Sequence, residues 1–341
     1  MSVDLTGWLD AVPAAAAGRL LAARRVLAVS HENPDADTLG AALGVAEIVK
    51  SNRGRTDIVC SDPAPPLYEF MPGIERVRSD PDTSADYDLL VVVDCGTLDR
   101  VGSVRERHRA LFARLPRLII DHHISNDAVG DFDWVDPNAA ATCEMVALLA
   151  ARLGVPLGAG DGGMATNLMA GIVMDTATFA HPNATPRTLA VAAALVDAGA
   201  PLADISRRLY RSKPESQLRL YGRVLGRLEA AAGGRIVHST LLLDDLRTTG
   251  AIPAYGEGII DLLAQDEAAD FAILFKESED DTSTRISVRT RDGGQDATVL
   301  TGAFGGGGHA RAAGATVETP LAEARTRVIA EAERLLATAA T

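Results

Sequence analysis

Cysteine is scarce in this sequence, with three residues in 341: Cys60, Cys95 and Cys143. Their number is odd and no two are spaced as C-x-x-C, so their spacing indicates neither a disulfide framework nor a thiolate zinc site. The N-terminal residues MSVDLTGWLD are acidic, unlike the basic start of a secretion signal. No apolar run reaches the roughly 18–20 residues that a membrane span needs. We therefore expect a cytoplasmic protein without a membrane span.

Basic residues are fewer than acidic residues in this sequence. Lys and Arg number 33 against 46 Asp and Glu, which gives a net charge of −13. Proteins that hold long nucleic acid through its phosphates usually carry a basic surface, so we expect no long nucleic acid as a partner. Short anionic ligands remain compatible with this charge where basic residues cluster locally, and the excess of carboxylates suits metal binding.

The length predicts two domains. In the first half, short apolar runs alternate with helical patterns, and apolar residues recur at helical spacing from Thr142 to about Ala200. Continuous apolar runs separated by helices are typical of a parallel sheet covered on both faces, so we predict an α/β domain with a mainly parallel sheet over 1–196. The predicted strands are 26–30, 57–61, 89–94 and 117–121, with early helices at about 37–50 and 103–114.

A basic, helical connector is predicted over 197–229, followed by a smaller mixed α/β domain over 230–341. The glycine-rich stretch GAFGGGGHARAAGA at 302–315 lies in this second domain. Four consecutive glycines taken alone are more typical of a flexible loop, but His309 and Arg311 directly after them favour anion binding. The predicted strands are 235–243, 270–277 and 284–291, and the predicted helices are 256–266, 296–304 and 320–338.

Carboxylates and imidazoles follow three predicted strands of the first domain, and Asp175 lies inside an apolar helical run at 171–179. Ligands of open α/β sheets bind beyond the carboxyl ends of the strands. Each residue alone has an ordinary explanation: Asp37 or Asp175 as a helix cap, and a histidine as a satisfied loop residue. Capping does not explain the whole set, which is His31, Asp35, Asp37, Asp94, Asp121, His122, His123 and Asp175.

Oxygen and imidazole ligands without thiolates suit Mn²⁺, Mg²⁺, Fe²⁺ or Zn²⁺. Six or more ligands exceed the need of one ion. Two ions about 3.5–4 Å apart, bridged by one carboxylate, are the natural arrangement, and such a pair can clamp a phosphoryl group for in-line attack by water. The set therefore indicates a metal-dependent function.

The order and spacing of these motifs resemble the DHH phosphoesterases, and GGGGHARAAG resembles their accessory domain, DHHA1. The resemblance covers nearly the whole chain. Within the family, the likeness is to bacterial nanoRNA hydrolases that also act on 3'-phosphoadenosine 5'-phosphate (PAP), and to actinobacterial relatives that hydrolyse cyclic di-AMP and linear dinucleotides. It implies a metal-dependent phosphodiesterase and phosphatase that releases mononucleotides from short nucleotides, and it suggests a homodimer.

The resemblance also implies roles for single residues. It implies two divalent ions, with Mn²⁺ expected and Mg²⁺ or another divalent ion as the alternative. His123 would face the scissile phosphate, and Asp121 would orient a histidine, as metal-bound imidazoles usually require. The implied ligands are His31, Asp35 and Asp94 for one ion, and Asp37, Asp94, His122 and Asp175 for the other.

The second domain is implied to grip the nucleotide while the first cleaves it, in a cleft between them. Glycines let backbone N–H groups approach a phosphate closely. Arg289 and Arg291, two positions apart on a predicted strand, would share one face. The candidate contacts are Gly306, Gly307, Gly308, His309, Arg311, Arg289 and Arg291. Arg207, Arg208 and Arg211 of the connector are further candidates, although a basic helical face is more often solvated.

Other functions are compatible with parts of the pattern. A RecJ-like single-strand exonuclease would normally be longer and more basic, a family II pyrophosphatase would lack the GGGH element, and a membrane cyclic-dinucleotide phosphodiesterase would carry membrane helices. A non-catalytic nucleotide sensor or a metal-binding structural protein is the alternative outside the enzymes. A sensor would lack a metal ligand, whereas every implied ligand is present here. The sequence does not choose among the short substrates.

Overall fold

The computed structural model describes residues 3–291 and 293–338. The chain forms two compact units, Met1–Ser212 and Lys213–Thr341. The division falls inside the predicted connector, in the break between two helices. The predicted domain boundaries, and the predicted cleft between the domains, stay predictions.

The first unit is built on a six-stranded sheet in which every neighbouring pair is parallel, in the order β3-β2-β1-β4-β5-β6. The four strands that the sequence predicts are the four inner ones. The prediction missed the two edge strands, because one is two residues long and the other lacks a continuous apolar run. The strands are β1 Arg25–Val29, β2 Arg55–Val59, β3 Val77–Arg78, β4 Leu89–Val93, β5 Arg117–Asp121 and β6 Phe132–Val135.

Helices cover both faces of this sheet, as predicted. Val26 and Ala28 of β1 pack into one apolar core, while Leu27 and Val29 pack into a second core on the other face. The single helix predicted over 103–114 is two short helices broken at His108. The helices are α1 Ala14–Ala22, α2 Ala36–Ser51, α3 Ser103–Arg107, α4 Arg109–Arg114, α5 Thr142–Arg152, α6 Gly163–Asp175, α7 Pro186–Asp197 and α8 Leu202–Tyr210.

No single helix among the described residues has the length and apolar composition of a membrane span. Helices α7 and α8 reach that criterion only when taken together, and the chain bends by 112° between them.

The direction of the strand order reverses between β1 and β4. After β1 the chain builds β2 and β3 on one side, and it then crosses to β4, β5 and β6 on the other. Connections that leave neighbouring strands in opposite directions open a crevice at their carboxyl ends, which is where open α/β sheets bind ligands. The residues after β1, β4 and β5 lie at this end of the sheet.

The second unit contains a mixed six-stranded sheet in the order β11-β12-β10-β9-β8-β7, in which only β8 and β9 are parallel among the described pairs. The sequence predicted three of these strands. Its elements are α9 Glu215–Leu225, β7 Glu229–Ala231, β8 Ile236–Leu241, α10 Leu243–Thr249, α11 Ile259–Leu263, β9 Phe271–Glu277, β10 Thr284–Arg289, α12 Ala297–Gly302, β11 Gly307–His309, β12 Ala312–Val317 and α13 Leu321–Thr338.

The expectation of a flexible loop for the four glycines is wrong in part. Gly307–His309 forms a short strand that pairs antiparallel with β12. Gly308 has φ of +140°, and a Cβ on Gly306 would collide with the backbone of Gly314. Glycine is therefore required at both positions for the hairpin itself, whatever the hairpin binds.

Candidate metal centre

The loop after β1 places His31 and Asp35 side by side. His31 is buried, and its Nε2 lies 3.9 Å from Oδ2 of Asp35. Oδ1 of Asp35 accepts the backbone N–H groups of Asp37 at 2.9 Å and Thr38 at 3.1 Å, so Asp35 is the N-cap of α2. The expectation that Asp37 caps this helix is wrong, because the helix begins at Ala36, two residues before the start that a cap at Asp37 would give, and Asp37 lies in its first turn.

Asp37 instead accepts hydrogen bonds from the start of α5. Its carboxylate is fully buried, and its two oxygens accept the N–H groups of Thr142 at 2.7 Å and Cys143 at 2.8 Å. The first N–H groups of a helix have no partner within the helix and carry partial positive charge, which suits a carboxylate. The hydroxyl of Thr142 also donates to Oδ1 of Asp94 at 3.1 Å. The first turn of α5 thus fixes two of the candidate ligands.

Asp94 lies between two imidazoles. Its Oδ2 is 3.5 Å from Nε2 of His31, and its Oδ1 is 3.5 Å from Nε2 of His122. The residue directly follows β4 and has φ of +57°, a left-handed conformation that Asp and Asn adopt more readily than most residues. Each carboxylate oxygen therefore faces a different histidine.

Asp175 is the last residue of α6, where a carboxylate opposes the helix dipole. The helix-cap explanation for it is wrong, since Thr176 is the C-cap. Its Oδ2 lies 3.3 Å from Nε2 of His122. Burial, and then the charges of Asp37 and Asp94, raise the pKa of Asp175 well above its usual range. This carboxylate needs a neighbouring positive charge.

The tautomers of two histidines follow from backbone carbonyls. Nδ1 of His31 is 2.7 Å from the carbonyl of Glu32, and Nδ1 of His122 is 3.3 Å from the carbonyl of Ala139. A carbonyl only accepts, so each Nδ1 carries a proton, and in the neutral ring Nε2 is the nitrogen that can bind an ion. The guanidinium of Arg100, 3.2 Å from Nδ1 of His31, then meets a second donor and makes no hydrogen bond there.

The Nε2 atoms of His31 and His122 lie 3.3–3.5 Å from carboxylate oxygens, so neutral rings would place their lone pairs against negative charge unless a cation lies among them. Burial, and then the charges of Asp37 and Asp35, raise the pKa of Asp94 well above its usual range. A divalent ion would relieve both conflicts. The donor atoms of three groups lie within 4.8 Å of one another, so each group could hold an ion: His31, Asp35 and Asp94; Asp37, His122 and Asp175; Asp94, His122 and His123.

His123 differs from the other two histidines. Its Nδ1 donates to Oδ1 of Asp121 at 2.7 Å, and Asn126 donates to the other oxygen of Asp121 at 2.6 Å. The hydrogen bond to Asp121 raises the pKa of His123. Burial raises the pKa of Asp121, but the hydrogen bonds from His123 and Asn126 outweigh it and lower the pKa overall. Since Nδ1 is committed to Asp121, His123 fits the third group of potential ligands poorly.

The predicted substrate contacts lie in the second unit. The hydrogen bonds of Arg311 hold the loop before α12, through the hydroxyl of Thr290 and the carbonyl of Gln295, each at 3.1 Å. Arg289 pairs with Asp261 at 2.9 Å. Strand β10 ends at Arg289, so Arg291 follows the strand, where it pairs with Asp270 at 2.6 Å.

The four remaining predicted contacts in the second unit are Gly306, Gly307, Gly308 and His309. His309 is exposed. Among the described residues, none lies within 4 Å of the position that a Cβ on Gly307 would take. In the first unit, Arg207 and Arg208 both pair with Asp204, which favours the solvated-face interpretation, and Arg211 is exposed after α8.

Sequence reasoning missed the residues that hold the ligands. Thr142 was predicted to begin a helix, but nothing in the sequence shows that its N–H and hydroxyl reach Asp37 and Asp94, 105 and 48 positions away. Asn126 was missed for the same reason. Its position three residues after His123 is its only local signal.

A doubly wound parallel sheet with carboxylates and imidazoles at its switch point defines the class of this protein, a hydrolytic phosphoesterase. Residues 25–174 match the DHH family, N-terminal domain, and residues 247–338 match the DHHA1 domain. The chain belongs to the DHH family, which confirms the resemblance and the predicted fold class.

Two relatives share most of their length with this chain. The bifunctional oligoribonuclease and PAP phosphatase NrnA of Thermus thermophilus is 32% identical over 289 residues, which cover 85% of this chain and 83% of that protein. The protein of the same name from Bacillus subtilis is 26% identical over 306 residues, 89% of this chain and 92% of that protein. The crystal structure of an exopolyphosphatase-related protein from Bacteroides fragilis has the same fold, with a TM-score of 0.83, 22% identity, and coverage of 93% of this chain and 94% of that chain.

Proposed function

We propose that this phosphoesterase uses two divalent ions, Mn²⁺ by preference, to hydrolyse short nucleotides to mononucleotides. The proposed substrates are nanoRNA and linear dinucleotides, cyclic di-AMP, and PAP. The observation that carries the proposal is Asp94, whose two oxygens face His31 and His122 separately, as a carboxylate shared by two ions would. The names of the two relatives, an oligoribonuclease and PAP phosphatase, support two of the substrates.

The proposed ligands divide into two sets that share Asp94. When bound, divalent ions supply Lewis-acid polarisation of the phosphoryl oxygens and lower the pKa of an attacking water. The chain's own contribution is to hold the ligands before substrate arrives: the first turn of α5 fixes Asp37 and Asp94, and the carbonyls of Glu32 and Ala139 set two imidazole tautomers. The sets are His31, Asp35 and Asp94, and Asp37, Asp94, His122 and Asp175.

His123 is proposed to contact the reacting phosphate. Its Nδ1 is committed to Asp121, which leaves Nε2 as the donor toward a phosphoryl oxygen. The raised pKa favours the imidazolium form, which stabilises negative charge that develops on the equatorial oxygens. Asp121 is thus a positioning residue, and Asn126 holds its carboxylate in place.

The second unit is proposed to bind the nucleotide. The open space at Gly307 lets a backbone N–H approach an anion, and His309 next to it is exposed. The proposed contacts remain Gly306, Gly307, Gly308, His309, Arg311, Arg289 and Arg291. All three arginines already have partners, so a nucleotide would meet Arg289 and Arg291 beside the carboxylates of Asp261 and Asp270.

The proposal includes a homodimer and a cytoplasmic location. Sedimentation velocity of the full chain tests the dimer, and fractionation of the source cells tests the location. The net charge of −13 agrees with short ligands rather than long strands.

The test is a panel of initial hydrolysis rates. The substrates are a linear diribonucleotide, cyclic di-AMP, PAP and an RNA strand of about 24 nucleotides, each with Mn²⁺ and with EDTA. We expect the small substrates to be cleaved only with the ion, and their ranking names the main substrate. Fastest degradation of the long strand would favour the RecJ-like exonuclease, and nucleotide binding without cleavage would favour the sensor.

A further inference from the structure

The segment of residues 136–144, between β6 and the first turn of α5, contacts candidate ligands from three other elements. The carbonyl of Ala139 accepts from Nδ1 of His122. The N–H groups of Thr142 and Cys143 donate to Asp37, and the hydroxyl of Thr142 donates to Asp94. The position of this segment therefore decides where Asp37, Asp94 and His122 point.

A buried ion-pair network holds the two ends of the 136–144 segment together. Glu144 is fully buried, and its Oε2 accepts the N–H of Ala140 at 3.2 Å and the hydroxyl of Thr188 at 2.7 Å. Nε of Arg187, in α7, donates to the other oxygen of Glu144. A second nitrogen of Arg187, Nη1, donates to Oδ2 of Asp136 at 2.8 Å. One guanidinium thus bridges the first and the last residue of the segment.

This bridge depends on the shape of arginine. Side-chain exposures are 11% for Arg187, 16% for Asp136 and 0% for Glu144, so both pairs are largely removed from water. A planar guanidinium can serve two carboxylates in fixed directions, whereas a lysine ammonium is a compact point charge. Loss of the guanidinium would leave Glu144 as a buried carboxylate without its cation, and such sites rearrange or take in water.

We propose that Arg187 is a positioning residue for the metal centre. By fixing the 136–144 segment through Glu144 and Asp136, it sets the affinity of the site for divalent ions, although it touches neither an ion nor substrate. The inference rests on the proposed function in that it requires the site to bind an ion, but it does not depend on which nucleotide is cleaved.

The rival role for Arg187 is purely structural, the attachment of α7 to α5. If this were its only role, replacement of Arg187 would lower the stability of the protein and leave the ion affinity of the folded protein unchanged. A matched control is Arg25, which pairs with Asp57 at 2.7 Å with side-chain exposures of 27% and 15%. Arg25 begins β1, at the end of the sheet opposite to the candidate ligands, so Arg25→Gln breaks a partly buried ion pair without touching the site.

The experiment is calorimetric titration of the full chain, freed of metal, with Mn²⁺, together with the electron paramagnetic resonance spectrum of the bound ion and thermal unfolding in EDTA. We expect Arg187→Gln and Arg187→Lys to weaken Mn²⁺ binding about 10–100-fold, in the range for residues that hold metal ligands, and to change the spectrum. Arg25→Gln should lower the unfolding temperature but bind Mn²⁺ within about twofold of wild type.

Wild-type Mn²⁺ affinity in folded Arg187→Gln would overturn the positioning role. If Arg187→Gln fails to fold, Glu144→Gln is tested in its place. The amide keeps the shape of the Glu144 side chain but removes the charge that pairs with Arg187. Wild-type Mn²⁺ affinity in Glu144→Gln would likewise overturn the positioning role. A wild-type chain that binds no divalent ion would contradict the proposed function itself, and the positioning role with it.

Discussion

Nδ1 of His123 donates a hydrogen bond to Oδ1 of Asp121 at 2.7 Å, so the carboxylate at the end of β5 orients the histidine two residues later. We predict that Asp121→Asn lowers kcat about 10–100-fold, because the imidazole loses both its orientation and the partner that favours its charged form. Mn²⁺ affinity should change by less than about threefold, since Asp121 is absent from the proposed ligand sets.

The measurement is steady-state kinetics on the preferred substrate with parallel Mn²⁺ titration. Asn126→Ala is the matched variant, because Asn126 bonds the other oxygen of Asp121, and it should lower kcat in the same direction by a smaller factor. A full rate in Asp121→Asn would show that the hydrogen bond is not used in catalysis.

Asp94 is predicted to be indispensable for activity, and Asn is the informative replacement. Asn tolerates φ of +57° and keeps the shape of the side chain, whereas Ala would add backbone strain to the loss of the ligand. We predict a rate loss of about 10³-fold or more for Asp94→Asn.

The same variant should be more stable than wild type in EDTA near neutral pH. Because the pKa of Asp94 is raised in the folded chain, the unfolded chain releases this proton first. Without a cation, stability therefore falls as pH rises from about 4 through the folded pKa, and the amide removes this loss. Thermal unfolding in EDTA measures the difference. A lower unfolding temperature for Asp94→Asn would mean that the carboxylate is satisfied by the protein alone.

Substitutions of Gly307 and Gly306 in the second unit distinguish an effect on substrate binding from an effect on stability. A Cβ on Gly307 meets open space, so Gly307→Ala should fold normally but raise KM by about tenfold or more if a phosphate approaches this backbone. A Cβ on Gly306 would collide with Gly314 and Ala315, so Gly306→Ala should lower the stability of the second unit. KM and the unfolding temperature are measured for both variants. An unchanged KM in Gly307→Ala would exclude close approach of substrate at that position.

We predict that the free energy of unfolding of the second unit depends on pH because of His238. It is buried in β8, edge-on to Phe275 at 6.0 Å between ring centroids, and burial lowers its pKa. In the unfolded chain it binds a proton at about pH 6.5, which the folded chain does not bind until lower pH. The unfolded state therefore binds more protons in this window, and stability falls as pH drops below about 6.5.

Urea unfolding of the full chain at about pH 7.5 and about pH 5.5 measures this effect, followed by amide exchange in β8 and β9. His238→Gln removes the titrating group and should reduce the loss of protection between the two pH values. An equal loss in the variant would assign the pH dependence to other groups.

The sequence predicted the parts of the fold that depend on local pattern. The run LLVVV before Asp94 is apolar at every position because β4 is buried on both faces. Together with its short length and its valines, that pattern favours an inner parallel strand. The edge strands β3 and β6 are short or half exposed, so they carry no such pattern. The hairpin at Gly307–His309 was missed because its glycines are required by close backbone contacts with Ala312–Val317. The local sequence shows no preference for a strand there.

Most candidate ligands were predictable from their places after strands, and Asp175 from its place in an apolar helical run, but the contacts that hold them were not. Asp35 and Asp37 both precede an apolar helical pattern, and a shift of two residues in the helix start decides which of them caps it. The bonds from Thr142 to Asp37 and from Arg187 to Glu144 join positions 105 and 43 residues apart. Only the folded arrangement of α2, α5 and α7 reveals them.

The proposal of two divalent ions is tested most directly by removing all metal from the enzyme. Mn²⁺ is then restored stepwise while hydrolysis of a linear diribonucleotide is followed. We expect no hydrolysis in EDTA, a rate that reaches its maximum when two equivalents are bound, and a rate at least about 10³-fold below wild type in Asp94→Asn at every Mn²⁺ concentration. A full rate in EDTA, or an Asp94→Asn enzyme with a rate close to that of wild type, would contradict the two-ion proposal.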